Sequence, residues 1–188
     1  MLYKYRMFYH ISEESNIKEF IPRKTESFID LPPVVWAIDE EHIVNYFFPR
    51  DCPRIIYRYS KNVTEEDKNI FFSNTVSNTI IALENRWYNT IKNAILYKYI
   101  FEEDKFTLIE DIAGYYISEE KIIPKGMEKI ENLLDEILKQ NIELKFTPNI
   151  FPLRNSLIKS SINDYSIIRF RNAKEWLIES PQLHITND

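Results

Sequence analysis

The sequence predicts an α+β fold, a single domain with a mainly antiparallel, split sheet and packed helices. Short runs rich in β-branched and aromatic residues recur along the chain, and helical patterns separate them. The 188 residues are 44% hydrophobic and 14% aromatic, so the chain can bury a substantial core. Since no Pro/Ser/Gly-rich linker divides it, we expect one domain over residues 1–178 and a flexible C-terminal tail over residues 179–188.

The predicted strands are the runs with the highest β-branched and aromatic content. The clearest is 142–147, where Ile142, Leu144 and Phe146 alternate with polar residues. The full set of predicted strands is 4–11, 34–38, 54–59, 79–83, 96–101, 106–110, 115–118, 142–147 and 165–171.

The clearest predicted helix begins at Pro124 or Lys125 and ends near Gln140. Proline suits the first helical turn, and Asn141 can adopt the left-handed conformation that ends a helix. Its apolar stripe consists of Ile130, Leu133, Leu134, Ile137 and Leu138.

Weaker helical patterns cover 39–48, 64–72, 85–93 and 150–160. Thr64 is a predicted N-cap for the second of these, with Asp67 three residues later. Asp39, Glu40 and Glu41 suit the N-terminus of the first, where carboxylates stabilise exposed amides.

Composition excludes several classes of function. A net charge of −5 disfavours broad nucleic-acid binding, and no apolar run is long enough to span a membrane. With Gly114 and Gly126 as the only glycines, a Walker loop or a GxGxxG dinucleotide motif is impossible. One cysteine and no secretory h-region favour a cytoplasmic protein.

His10 is the central candidate for chemistry. On a strand, His10 and Ser12 lie on the same face, so both side chains can contact one ligand. A structural histidine at a sheet margin is the alternative. The other histidines, His42 and His184, lie far away in sequence and predict no metal site. We expect His42, after Glu41, to be an exposed residue at a helix start.

The segment 31–54, LPPVVWAIDEEHIVNYFFPRDCPR, combines an aromatic run with many polar groups, a mixture that is typical of a pocket. Trp36 is either core, cleft wall or a stacking surface for a planar ligand. We expect Cys52 to be a buried structural thiol, because no base accompanies it. Arg50 and Arg54 suit carboxylate or phosphate ligands, with a network of ion pairs as the alternative.

A family resemblance is carried by the segments FYHIS, PPVVWAIDEEH, PRDCPR, EDIAGYYIS and SIIRFRNA. Through them the chain resembles an uncharacterised family of small bacterial proteins of unknown function. This resemblance covers nearly the whole chain and implies no activity.

A strand-borne His-x-Ser, followed by an aromatic strand residue and a helical tyrosine ten residues later, also resembles the ADP-ribosyltransferase fold. The resemblance implies that His10 and Ser12 contact the ribose of NAD and that Trp36 and Tyr46 enclose nicotinamide. The catalytic acid of that fold is then expected in GYYISEEKIIPKGMEKI, where Glu119 and Glu120 are the candidates.

The leading hypothesis is therefore a domain of ADP-ribosyltransferase-like architecture that binds NAD or a related nucleotide through His10, Ser12, Trp36, Tyr46, Arg50 and Arg54. If it is an enzyme, the expected reaction is ADP-ribosyl transfer or hydrolysis, with no metal. The alternatives are a noncatalytic domain that binds a ligand or a protein, and a small phosphate-ester hydrolase that uses His10 with the arginines.

Overall fold

The computed structural model describes residues 6–25 and 28–175. The predicted tail at 179–188 and the first residues of the predicted strand 4–11 lie outside these ranges. The described residues form ten strands. They are β1 (Met7–Ser12), β2 (Val35–Ile38), β3 (Arg54–Arg58), β4 (Thr79–Glu84), β5 (Leu96–Glu102), β6 (Thr107–Glu110), β7 (Tyr115–Ser118), β8 (Gly126–Ile130), β9 (Glu143–Thr147) and β10 (Tyr165–Ile168).

The helices are short. They are α1 (Glu65–Phe71), α2 (Tyr88–Asn93), α3 (Leu133–Leu138) and α4 (Phe151–Leu157), with 3₁₀ turns at Ile43–Tyr46, Asn85–Trp87, Glu103–Lys105 and Phe170–Asn172. None of the helices in the described ranges has the length and apolar character needed to cross a bilayer.

The strands form two sheets, and all but one of their pairings are antiparallel. The larger sheet has the order β6-β7-β2-β1-β5-β8, so β1 lies inside it with a neighbour on either side. The smaller sheet has the order β10-β3-β4-β9, in which β4 and β9 run parallel. The protein is thus one α+β domain with mainly antiparallel sheets, as the sequence predicts.

Three apolar clusters define the layers. The first contains residues of both sheets together with α3, and its strand members include Ile38, Leu96, Ile56 and Leu83. The second lies where α1 and α4 cover the other face of the smaller sheet. The third covers the other face of the larger sheet and includes Phe8, Val35, Ala37, Tyr99 and Phe101, with Phe20 packed on it. Neighbouring residues of β1 and β2 therefore point into different clusters.

The predicted helix at 124–140 is wrong in its first half. Residues Gly126–Ile130 form β8, which pairs antiparallel with β5. Asn132 has a positive φ of 53°, a left-handed conformation that a continuous helix cannot contain. The helix α3 therefore begins only at Leu133. Leu133 and Ile137 are fully buried, whereas Leu134 is half-buried.

The helix predicted at 39–48 reduces to the 3₁₀ turn Ile43–Tyr46. Thr64 caps α1 as predicted, because its side chain accepts a hydrogen bond from the backbone N–H of Asp67. Asn141, which follows α3, has the left-handed conformation predicted for it, with a φ of 58°.

Candidate functional site

His10 lies near the middle of β1, opposite Tyr99 of β5, and its ring contacts the backbone of β2. Its Nδ1 is 3.0 Å from the carbonyl oxygen of Trp36. Since a carbonyl oxygen can only accept a hydrogen bond, Nδ1 carries the proton and donates a hydrogen bond to the Trp36 carbonyl. Burial lowers the pKa of His10, the bond to Trp36 opposes this, and the positive charges of Arg50 and Arg23 lower the pKa further. The ring is therefore neutral at pH 7.

A neutral ring protonated at Nδ1 has a lone pair on Nε2. Nε2 of His10 makes no hydrogen bond within the described residues. Trp87 Nε1 is the only fully buried side-chain nitrogen or oxygen without a partner in these ranges, so Nε2 of His10 is not among the fully buried unpaired atoms. His10 thus offers a hydrogen-bond acceptor that has no partner among the described residues.

The segment 13–25 crosses the sheet beside His10. Phe20 places its ring 4.9 Å from the imidazole, centroid to centroid, and its backbone pairs with Ile122. The hydroxyl of Tyr99 donates to the carbonyl of Glu14 and accepts from the N–H of Ile17, at 2.7 and 3.0 Å. These contacts explain why His10 is half-buried.

Arg23 and Arg50 are the two charged side chains that act most strongly on His10. The backbone of Arg23 pairs with Val34 at the start of β2, at 3.0 and 3.1 Å. The backbone N–H of Arg50 donates to Glu13 Oε1 at 3.2 Å. The Arg23 segment is therefore held by backbone–backbone hydrogen bonds and the Arg50 segment by a bond to the Glu13 side chain, both at the end of β1 that follows His10.

Neither guanidinium forms an ion pair or a side-chain hydrogen bond with any residue in the described ranges. Unpaired arginines are unexpected in a chain with 29 acidic residues. Guanidinium groups bind carboxylates and phosphates with paired hydrogen bonds. We call His10, Arg23 and Arg50 the His10 site; Arg23 is the member that sequence reasoning missed.

Ser12 belongs to the same strand face as His10. Its Oγ accepts a hydrogen bond from the N–H of Glu14 at 3.1 Å, which forms a tight turn at the end of β1. The Ser12 hydroxyl proton has no acceptor among the described residues, so it can still donate to a ligand.

Trp36 and Tyr46 are linked through Tyr115, on the face of the sheet opposite to that of Ala37. The Trp36 ring lies 5.8 Å from the ring of Tyr115, and the hydroxyls of Tyr115 and Tyr46 are 2.7 Å apart. Strand alternation puts Trp36 on the face opposite that of Ala37. The described contacts therefore link Trp36 with Tyr46, but they link His10 only with the Trp36 carbonyl.

Arg54 is buried, and its guanidinium group binds the protein's own backbone carbonyls. It is 2% exposed, donates to the carbonyls of Asn45 and Cys52, at 2.6 and 2.8 Å, and lies over the rings of Tyr46 and Phe48. Burial lowers the pKa of Arg54 to about 10, which leaves it charged at pH 7. Its contacts hold the turn before β3 in place.

Glu119 and Glu120 are exposed and directly follow β7. Glu120 accepts a hydrogen bond from Lys105 Nζ at 3.3 Å. Within the described part of the chain, no contact joins either carboxylate to His10. The pairing of Ser118 with Val35 sets both near the start of β2, the end of the sheet where Arg23 lies.

His42 is buried, not exposed as predicted. Asp39 Oδ1 accepts hydrogen bonds from the His42 backbone N–H and from its Nδ1, at 2.9 and 2.8 Å. Burial alone would raise the pKa of Asp39, but the bonds from His42 lower it overall. The pair closes the turn after β2. Among the described residues, no group of three or more side chains of His, Cys, Asp or Glu could hold a metal ion.

Cys52 is buried, as predicted. It belongs to the first apolar cluster, and burial raises the pKa of the thiol to about 12.

The fold and the His10 site define a small α+β protein with a neutral, half-buried histidine whose pKa is lowered by two nearby arginines. The chain belongs to a family of unknown function, DUF6886, whose model matches residues 9–173. The matched range contains every candidate site residue. Neither the search of curated proteins nor that of solved structures found a match.

Proposed function

We propose that this protein binds a phosphorylated nucleotide, of which NAD and ADP-ribose are the leading candidates, at the His10 site. The observation that carries the proposal is the hydrogen bond from His10 Nδ1 to the Trp36 carbonyl. It fixes a tautomer whose Nε2 can accept a hydrogen bond, near two arginines that have no side-chain partner among the described residues. A ligand with both a hydrogen-bond donor, such as a hydroxyl group, and an anionic group therefore fits this site.

A ribose phosphate meets this requirement. Its hydroxyl can donate to Nε2 of His10, and its phosphate can accept from Arg23 and Arg50. A simple anion would satisfy the arginines but would bring no proton to Nε2. An uncharged sugar would leave both guanidinium groups without a partner. Ser12 adds a further donor on the same strand face.

Binding is better supported than catalysis. Transfer or hydrolysis at the nicotinamide ribose develops positive charge, which a nearby carboxylate stabilises. Glu119 and Glu120 remain the candidates for that role, at the same end of the sheet. The absence of a described contact between them and His10 favours the noncatalytic alternative.

Titration calorimetry with ADP-ribose, NAD, ADP and adenosine tests the proposal. We expect the phosphorylated ligands to bind and adenosine to bind much more weakly. Arg50→Gln should weaken binding about 10-fold or more, since hydrogen bonds to charged groups contribute about 1.5–3 kcal/mol. This variant should fold normally, because the Arg50 side chain is exposed and has no partner among the described residues.

Arg171→Gln is the matched control. Arg171 is also exposed, and it lies outside the His10 site. Equal affinity of Arg50→Gln and the wild type, or equal binding of adenosine and ADP-ribose, contradicts the proposal. So does the failure of every phosphorylated ligand to bind.

Release of nicotinamide from NAD, measured on the same samples, separates transfer or hydrolysis from binding. If release occurs and Glu119→Gln or Glu120→Gln abolishes it without loss of NAD affinity, the protein is an enzyme of the ADP-ribosyl class. Binding without release identifies a noncatalytic nucleotide-binding protein.

A further inference from the structure

A cavity lined by residues that do not belong to the His10 site opens where β3 and β4 meet the 3₁₀ turn after β2. Its volume is about 320 Å³, at the lower end of the range of about 300–1,000 Å³ that is typical of ligand pockets. Its polar lining includes Glu41, Arg58, Asn78, Gln140 and Asp164.

Arg58, the last residue of β3, is the fixed element of this cavity. The residue is 8% exposed. One terminal nitrogen donates to Asn45 Oδ1 at 2.8 Å, and the other lies at a longer 3.4 Å from Asp164 Oδ1. These two bonds hold the guanidinium plane.

A guanidinium carries five N–H donors, so Arg58 retains three without a described partner. Its Nε is not a sealed unpaired atom, because only Trp87 Nε1 has that status within the described ranges. The free edge of the group therefore reaches accessible space. Paired donors on an arginine edge bind a carboxylate in a bidentate manner.

The charges around the cavity select the kind of ligand. Glu41 is exposed and forms no ion pair with a described residue, and Asp164 binds Arg58 by one long contact. A plain anion would be repelled by these two carboxylates. A plain cation would leave the free N–H donors of Arg58 without an acceptor. A small molecule with both charges offers an acceptor to Arg58 and a cation to Glu41.

We propose that this cavity binds a small zwitterion of the free α-amino acid class, with its carboxylate on Arg58 and its ammonium group on Glu41. Asn78 and Gln140 supply amide groups for the rest of the molecule. This proposal does not depend on the His10 site.

The test is a calorimetric screen of the full chain against the twenty L-amino acids, followed by two derivatives of any that binds. We expect at least one to bind. Its carboxamide lacks the group for Arg58, and its N-acetyl derivative lacks the charge for Glu41. Each should bind about 10-fold more weakly or worse, because each loses a charge-assisted hydrogen bond.

Glu41→Gln and Glu40→Gln form a matched pair, because the two glutamates are adjacent and both exposed but only Glu41 lines the cavity. Glu41→Gln should weaken amino-acid binding at least about fivefold, while Glu40→Gln and Arg50→Gln leave it unchanged. If no amino acid binds, if the carboxamide binds as tightly, or if Glu41→Gln binds like the wild type, the proposal is wrong. The Arg50→Gln control separates this result from that of the His10 site.

Discussion

Replacing Gly114 with alanine should strongly destabilise the protein. Gly114 has a φ of 65°, and a non-glycine residue in this region costs about 1–2 kcal/mol. A Cβ atom would lie 2.7 Å from both carboxylate oxygens of Asp39 and nearer still to Nδ1 of His42. These are buried atoms that cannot move into solvent, so the hydrogen bond between Asp39 and His42 has to give way.

Disrupting a buried hydrogen bond costs about 1–3 kcal/mol. Together with the backbone strain, Gly114→Ala should lower the free energy of unfolding by about 2–5 kcal/mol. For a chain of this size, each kcal/mol corresponds to about 2–4 °C in the melting temperature. The expected decrease is therefore roughly 4–20 °C, which urea denaturation and thermal unfolding followed by circular dichroism will both resolve.

Gly126→Ala is the matched control, because Gly126 is the only other glycine. A Cβ there meets only Ile100 Cδ1, at 3.8 Å, and the residue lies within β8 without a positive φ. Alanine in a strand is favoured over glycine by about 0.5–1 kcal/mol, so this variant should be neutral or slightly more stable. Equal melting temperatures for the two variants would refute the assignment of Gly114 to the turn that contacts Asp39 and His42.

Three further predictions concern packing, reactivity and pH. Leu133→Ala should lower the free energy of unfolding, measured by urea denaturation, by about 2–5 kcal/mol because Leu133 is fully buried. Leu138→Ala, at a half-exposed position, should change it by no more than about 0.5 kcal/mol. Similar losses of stability in the two variants would contradict the packing of α3. Alkylation of Cys52 at pH 8 should be far slower in the folded protein than in denaturant, because burial raises the pKa of the thiol to about 12; equal rates would mean an exposed thiol. Since the pKa of His10 is lowered from its ordinary 6.5 in the folded protein, the His10 side chain takes up a proton more readily in the unfolded chain as the pH falls. Stability should therefore fall as pH drops below about 6.5, and less steeply in His10→Gln; an unchanged slope would show that His10 is not responsible.

Most strands could be predicted from the sequence because their local composition agrees with their final state. The run from Ile55 to Tyr57 is β-branched and aromatic, and it becomes a buried central strand. The strand β8 has no such signal, since Gly126, Met127, Glu128 and Lys129 are poor strand formers. Its strand conformation goes with its pairing to β5, which is a property of the assembled sheet.

Part of the candidate site, His10 with Ser12, could be predicted because it follows from the local sequence. Placing His10 and Ser12 on one face requires only the two-residue period of a strand. Arg23 lies in a segment without regular structure, and its position depends on pairing with Val34. Arg50 approaches through a bond to the Glu13 side chain, which no local pattern records. Such long-range contacts are invisible to periodicity.

The role of Trp36 shows how one residue can serve both faces of the sheet. Its carbonyl fixes the tautomer of His10, and a carbonyl is available from any residue at that position. Its ring instead lies against Tyr115, whose hydroxyl meets that of Tyr46. The polar chemistry near His10 therefore depends on the backbone of β2, while the aromatic side chains that the sequence singles out stabilise the opposite face. A ligand at the His10 site would be held by the histidine and the arginines, with Trp36 acting through its backbone.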